Sequence, residues 1–434
     1  MRRLAATIGV PARSLAAVVG VVLGMLGAAP VALGATKSAT AARSPQAALA
    51  RSLNSTIRHA GGRSGAYVLD LDTGQSLFSY SPDVGRLPAS VEKLYTTSTA
   101  LLDFGANTTL TTSIYGVGTL NDGHWTGTLY LKGGGDPTFG SASFDHFAYG
   151  GGATMQRLVA NLIRTQGITS IQGRVIGDES YFDSLRGTPA TGFRFSTDVE
   201  GSLSALVYNR GLINQGSAYV LRPALFAAQQ FVSALRSAGV KVAQKIPIST
   251  GRTPPGTGLL AEVNSPRMGT LIKLTNTPSD NFFAETLIKD IGAKFGGAGT
   301  TAAGAAAVRS LVASRFGIHP QLNDGSGLSR SDFTTPRQVV TLLSRMAANI
   351  DFVSSLAVAG KTGTLEHEMN GTIAQGRCEG KTGTLSDAAN LVGYCQARDG
   401  HKLAFAFLMN SVFNTDVTHK IEANMAVTLA KYNG

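Results

Sequence analysis

Residues 378–397 read CEGKTGTLSDAANLVGYCQA, two runs of strand-forming residues on either side of Ser386-Asp387. A run, a polar pair and a second run make a hairpin signal. If the turn centres between Ser386 and Asp387, Lys381 faces Val392 and Cys378 faces Cys395. Side chains alternate along a strand, so Lys381 and Gly383 share a face. The absent side chain of a strand glycine lets another backbone or a ligand lie close, and the lysine ammonium can pair with a carboxylate. The string KTGTL also occurs twenty residues earlier, at 361–365. Neither copy has the G-x-x-x-x-G spacing of a phosphate loop. The first copy continues into the polar LEHEMNGT and lacks a partner strand, so Lys381 is the candidate binding residue and Lys361 belongs to a structural turn.

Cys378 and Cys395 are the two cysteines of the chain. With no CxxC and no paired histidines they cannot fill a zinc shell. In an exported chain such a pair reads as a disulfide, here one that would brace the strand carrying Lys381. Export is expected from the N-terminus. Arg2, Arg3 and Arg13 precede an uncharged apolar run at 15–33, and the small residues Ala32-Leu33-Gly34-Ala35 resemble a cleavage site. The reading is a signal peptide over 1–34 and a flexible tether over 35–44; the rival is an uncleaved membrane anchor. The expected location is the periplasm, the cell-wall space or the medium.

The chain has 434 residues, 43% hydrophobic and 15% charged, a globular composition. Its formal charge is +11, and losing the three arginines of 1–34 leaves +8. A basic exported protein would be drawn to anionic envelope polymers; the plainer reading of the charge is general solubility. Nucleic acid is not an expected partner, because no basic run is interleaved with aromatics and no binding motif occurs.

Along the chain, residues 65–80 form a hairpin around Asp72-Thr73-Gly74, followed by a helix ending at Gly105. From 107 to 250 short strands alternate with helices, which reads as an inserted region. After Pro266 the chain is helical again, then returns to strands and closes on a helix at 416–432. The first hairpin and the terminal strands can share one antiparallel sheet. The expected core is therefore 45–106 with 251–434, and 107–250 is the insertion.

Two more strings carry chemistry. Ser90-Val91-Glu92-Lys93 opens the helix after Pro88, and i and i+3 lie on one helix face. Lys93 can then act as base for a Ser90 nucleophile if burial lowers its pKa. A helix N-terminus would also offer backbone N–H groups to a forming oxyanion. Ser279-Asp280-Asn281 follows Pro278 and precedes a helix. It reads as an N-cap or, functionally, as a proton relay at Ser279 with a substrate-holding amide at Asn281. Other conspicuous residues read blandly. Glu366-His367-Glu368-Met369 lacks the second histidine of a zinc helix, so no metal is expected. Asp136 reads as a turn former, Trp125 as a packing residue and 324–327 as a turn.

S-x-x-K, S-D-N and K-T-G in that order are the signature of penicillin-binding proteins and class A β-lactamases. With LPASVEKLYTT, GGGDPTF, VIGDESYFD, SALVYNR, TPSDNFFAETL and NDGSGLSRSDFTTP, the chain resembles the D-alanyl-D-alanine carboxypeptidase/endopeptidase family. This is peptidase family S13, the class C low-molecular-mass penicillin-binding proteins. The resemblance implies an α+β fold: a serine penicillin-recognising core, β-lactamase/transpeptidase-like, its antiparallel sheet flanked by helices, with an insertion between the first two motifs. The 189-residue step from Ser90 to Ser279 agrees.

The resemblance also implies roles. Ser90 would be acylated, Lys93 would be its base, and Ser279 would pass a proton to the leaving amine. Asn281 would hold the substrate amide. Lys381 with Thr382 and Thr384 would take the terminal carboxylate, and the N–H groups of Ser90 and Thr384 would form the oxyanion hole. Asp178 would face the free amine of a diamino acid. Substrates would be peptidoglycan stem peptides and cross-links, with β-lactams as covalent ligands and no cofactor. A β-lactamase and a non-catalytic wall-binding protein are the alternatives.

Overall fold

The computed structural model describes residues 44–213 and 216–434. The expected leader and tether fall outside them, Ser44 excepted. Among the described residues no helix is long and apolar enough to cross a membrane.

The chain opens with helix α1 (Pro45–Ile57), which buries Leu49, Leu53 and Ile57 on one stripe. Strands β1 (Arg63–Asp70) and β2 (Ser76–Tyr80) form the first hairpin. Its turn is held by Asp70 Oδ1, which accepts from the Asp72 and Thr73 amides. A single 3-10 turn, Ala89–Glu92, leads into α2 (Lys93–Phe104). The first nine residues of α2 are buried whatever face they occupy. Such a helix runs through the middle of a core.

The insertion builds a second sheet. Strands β3 (Thr111–Asn121) and β4 (His124–Lys132) are joined by Asp122-Gly123, both with positive φ, as a two-residue hairpin requires. Helices α3 (Ala142–Tyr149) and α4 (Met155–Gln166) lead to β5 (Ser170–Asp178), parallel to β4. A small ribbon, β6 (Leu212–Ile213) with β7 (Ala218–Tyr219), and helix α5 (Pro223–Ser237) follow. Then come β8 (Lys241–Val242) and β9 (Ile248–Thr250), both beside β5, and β10 (Gly258–Asn264). Strand β10 pairs with β3, so the second sheet extends past residue 250, where the sequence suggests the insertion ends. Trp125 packs in this region's own core with Leu129, Leu158 and Phe231. Val199, Leu203 and Val207, however, pack into the core of the main body.

Helices α6 (Met268–Asn276), α7 (Asn281–Phe295), α8 (Thr301–Phe316), α9 (Pro336–Met346) and α10 (Ile350–Val353) return the chain to that body. Strands β11 (Ala357–Val358), β12 (Cys378–Leu385), β13 (Ala388–Gln396) and β14 (Lys402–Asn410) complete the main sheet before α11 (Thr415–Ala430). The sheet order is β11-β12-β13-β14-β1-β2, antiparallel throughout. Its faces separate by alternation. Val392, Tyr394, Ala406 and Leu408 pack under the helices α2, α6, α7, α8 and α9. Leu391, Cys395, Phe405 and Phe407 face α1 and α11. Burying each of these larger side chains contributes about 1.5–3 kcal/mol.

The β12–β13 register is the one the turn length sets. Cys378 pairs with Cys395 and Lys381 with Val392 around Ser386-Asp387. Cys378 and Cys395 form a disulfide, with their Cα atoms 4.1 Å apart.

Candidate active site

Ser90 lies on the 3-10 turn where the chain passes from an extended segment into α2. Two asparagines of the sheet hold this turn. Asn410 Oδ1 accepts from the Leu87 amide at 2.7 Å, and Asn390 Nδ2 donates to the carbonyls of Leu87 and Pro88 at 3.1 and 2.8 Å. Ala89 takes a positive φ of 47°, a strained value for a residue with a Cβ, which turns Ser90 out of the extended run. Its carbonyl is so close to Gly327 that a Cβ there would come within 1.8 Å. The loop 324–327 can approach the nucleophile turn because glycine stands at 327.

One helical step on, Lys93 is fully buried. Its Nζ donates to Ser90 Oγ at 2.9 Å, to Asn281 Oδ1 at 2.6 Å and to the Ser326 carbonyl at 2.8 Å. Burial pushes its pKa down to about 8, against the pull of Asp324 and Glu285. The partner chemistry fixes where a neutral amine would point. The two oxygens of Asn281 and Ser326 can only accept, so a lone pair on Nζ must face the one partner able to donate, the Ser90 hydroxyl.

Four buried carboxyls stand behind this lysine: Glu92, Glu285, Asp324 and Asp332. Glu285 Oε1 accepts from the amides of Gly325 and Ser326, and Asp324 accepts from those of Gly327 and Ser329. These bonds shape the loop that presents the Ser326 carbonyl. Burial raises Glu285 to about 8 and Asp332 to about 9, and lifts Glu92 well above the carboxylate range.

The S-D-N segment joins α6 to α7, and its capping and functional readings are both satisfied, by different residues. Asp280 caps α7 by accepting from the Phe283 amide at 2.9 Å. Asn281 turns inward to Lys93, and its Nδ2 donates to the Asp198 carbonyl at 2.8 Å. Ser279 has φ 69° and is half-buried. Its hydroxyl has no partner among the described residues, so it is available to a substrate or water. Arg210 clamps Asp280 with bonds of 2.5 and 3.1 Å. Glu200 Oε2 accepts from the Asn281 amide at 3.0 Å. Arg210 ends the SALVYNR string but nothing in that string marks it as a clamp, and Glu200 carries no local sequence signal.

Lys381 lies on the inner face of β12, fully buried, its Nζ bonded to the Thr382 carbonyl at 2.8 Å. Burial and the nearby Lys93 charge hold its pKa well below the usual lysine range. On the same face a Cβ at Gly383 would lie 2.6 Å from the Pro88 carbonyl and 3.2 Å from the Val91 amide. Glycine at 383 therefore lets β12 press against the Ser90 turn. Thr382 and Thr384 point to the opposite face. Thr382 Oγ1 donates to Thr364 Oγ1, and Thr384 Oγ1 lies 2.9 Å from His419 Nε2. The first KTGTL copy is a turn with an exposed Lys361.

Asp178 departs from expectation. Its carboxylate is fully buried at the end of β5, with its oxygens accepting from the Ser180 and Thr253 amides. These bonds hold its pKa down despite burial. Asp136 likewise ties a turn through Thr138. Among the described residues, Asp70, Asp72 and His401 bring ligand atoms within 4.8 Å of one another. Those atoms already bond the β1–β2 turn, the Lys402 amide and each other.

Comparison with known proteins gives the family and the fold. The family described as D-Ala-D-Ala carboxypeptidase 3 (S13) matches residues 46–194 and 194–432. The D-alanyl-D-alanine carboxypeptidase of Actinomadura sp. (strain R39) is 29% identical over 459 residues, covering 86% of this chain and 82% of that protein. Carboxypeptidase DacB of Mycolicibacterium smegmatis is 28% identical, covering 83% and 79%. In fold, the chain is similar to penicillin binding protein 4 of Haemophilus influenzae, with a TM-score of 0.72 at 19% identity over 88% of this chain and 99% of that one. A predatory peptidoglycan endopeptidase of Bdellovibrio bacteriovorus gives 0.56 at 18% identity over 85% and 92%. With a family match spanning nearly all the described residues, the half-buried Ser90 and its buried partner Lys93 among them, the chain belongs to the D-Ala-D-Ala carboxypeptidase 3 (S13) family.

Proposed function

We propose that this protein is an exported serine DD-peptidase that cleaves D-Ala-D-Ala termini and D-Ala cross-links of peptidoglycan stem peptides. The observation that carries the reading is the buried Lys93 amine, held against Ser90 Oγ by two oxygens that cannot donate. Ser90 Oγ attacks the carbonyl carbon of the penultimate D-Ala as its proton passes to Lys93 Nζ. The amide N–H groups of Ser90 and Thr384 receive the developing oxyanion. As the C–N bond breaks, the Ser279 hydroxyl delivers a proton to the leaving amine and is reprotonated by Lys93, which returns to the neutral amine. Water then attacks the Ser90 ester, its proton passing to Lys93 and from there to the departing Ser90 Oγ. Lys381 pairs with the terminal carboxylate, which lies along the edge of β12 that β11 leaves unpaired, where the hydroxyls of Thr382 and Thr384 reach it from the other face; Asn281 positions the substrate amide. Penicillin acylates the same serine through its strained amide.

Intact-mass measurement after incubation with penicillin tests the reading. A stable adduct of one penicillin per chain, absent from Ser90→Ala, is expected. An adduct that survives in Ser90→Ala, or none on the unaltered protein, overturns it. Rapid loss of the adduct with turnover would favour a β-lactamase.

A further inference from the structure

On the outer face of β12 three side chains make a relay that the reaction above does not use. Glu422 Oε2 lies 2.9 Å from His419 Nδ1, and His419 Nε2 lies 2.9 Å from Thr384 Oγ1. Glu422 is almost fully buried, His419 half-buried and Thr384 exposed. Thr382, Thr384, His419 and Glu422 also line one cavity of about 220 Å³, walled by Leu365 and Leu391. The relay thus joins a buried acid to an exposed hydroxyl of the K-T-G-T string, on the stretch of β12 that β11 leaves unpaired.

A carboxylate oxygen and an imidazole nitrogen 2.9 Å apart need a proton between them. With a single proton on the pair it sits there, and Nε2 is a bare acceptor. Thr384 must then donate its hydroxyl hydrogen to the imidazole, turning only lone pairs toward an approaching carboxylate. A second proton places N–H at Nε2, and the direction of the bond reverses. Thr384 then accepts from the ring, and its own hydrogen is released to bond an anion.

We propose that the Glu422–His419 pair is a proton switch that decides whether Thr384 can donate to the terminal carboxylate of a substrate, making His419 a positioning residue for carboxylate-bearing substrates. The inference rests on the function proposed above. The groups facing His419 suit a titration near neutrality. Burial opposes its positive charge, but Glu422 and Asp416 on α11 and Glu368 on the adjoining loop together raise its pKa. Burial likewise raises Glu422, to about 7.

The test compares steady-state kinetics across the neutral range with two substrates. One is a D-Ala-D-Ala peptide and the other an acyl-D-alanyl thioester with an uncharged leaving group. For the peptide, KM rises about tenfold as the pair loses its second proton, the weight of one hydrogen bond to a charged group. The thioester shows no such limb, and His419→Ala abolishes it for the peptide. A KM limb that persists in His419→Ala, or that appears equally with the thioester, overturns the proposal. Should His419→Ala not fold, ¹⁵N NMR of His419 in Ser90→Ala gives a second reading. Adding the peptide must raise the imidazole pKa, by reciprocity of coupled binding; an unchanged titration overturns the switch. Failure of Ser90 to form a penicillin adduct would instead strike the function itself.

Discussion

The hydroxyl of Thr382, in the second KTGTL string, donates to that of Thr364 in the first at 2.9 Å. The two copies therefore touch, although only one carries a buried lysine. The turn of the first copy also bonds back to the S-D-N side of the site, with the Thr364 amide donating to the Thr277 carbonyl at 3.2 Å. One residue thus ties the substrate-binding strand to the segment that ends in Ser279. The first copy acts through its second threonine and not through its lysine.

Substitution should separate the two lysines. Lys381→Ala removes the amine from a fully buried position, and kcat/KM for a D-Ala-D-Ala peptide should fall by about 10- to 100-fold, the weight of a hydrogen bond to the charged carboxylate. Lys361→Ala, at an exposed turn, should stay within about twofold of the unaltered enzyme. Equal losses from the two would show that the wrong copy has been assigned.

What the sequence made legible were relationships governed by local rules. Ser90 and Lys93 meet because i and i+3 share a helix face, and Cys378 meets Cys395 because a two-residue turn sets the register. Residues that act across long stretches of chain left no such trace. Asn390 and Asn410 hold the Ser90 turn from some 300 residues away, and nothing local separates them from other asparagines. The pairing of β10 with β3 likewise joins residues about 150 apart and has no local signal. Asp178 is an acid whose string suggested a ligand contact, yet backbone amides claim its oxygens.

Arg210 should matter to both stability and activity. Its guanidinium grips Asp280 with both side chains largely buried, and it lies 5.0 Å from the Phe282 ring centroid. Arg210→Ala leaves a shielded carboxylate at the head of α7 and should cost about 3 kcal/mol in urea unfolding. Arg210→Lys should restore only part of this, because an ammonium cannot bond both oxygens in a fork. Unfolding midpoints within error of the unaltered protein for both variants would remove the clamp from the account.

Opening the disulfide should destabilise more than it inactivates. The bridge closes a loop of 17 residues, so replacing both cysteines by serine should cost about 3 kcal/mol. The cystine lies on the face of the sheet away from Ser90, and penicillin acylation at low temperature should stay within about threefold. Loss of acylation in a variant shown to be folded would mean that the bridge sets the geometry of β12 itself.

The sharpest test of the chemistry is the pH dependence of acylation at saturating penicillin. Lys93 must be neutral to accept the Ser90 proton, and its pKa is about 8. Below that value the protonated fraction dominates, so the rate should fall about tenfold per pH unit on the acid side and level off above it. Lys93→Arg keeps the charge but cannot shed its proton at these pH values. It should lose about 10²- to 10⁴-fold and show no limb near 8. Saturating penicillin separates this titration from the one at Glu422–His419, which acts on binding and so on KM. A wild-type acylation rate that is flat from about pH 6 to about pH 9 would mean that Lys93 is not the base.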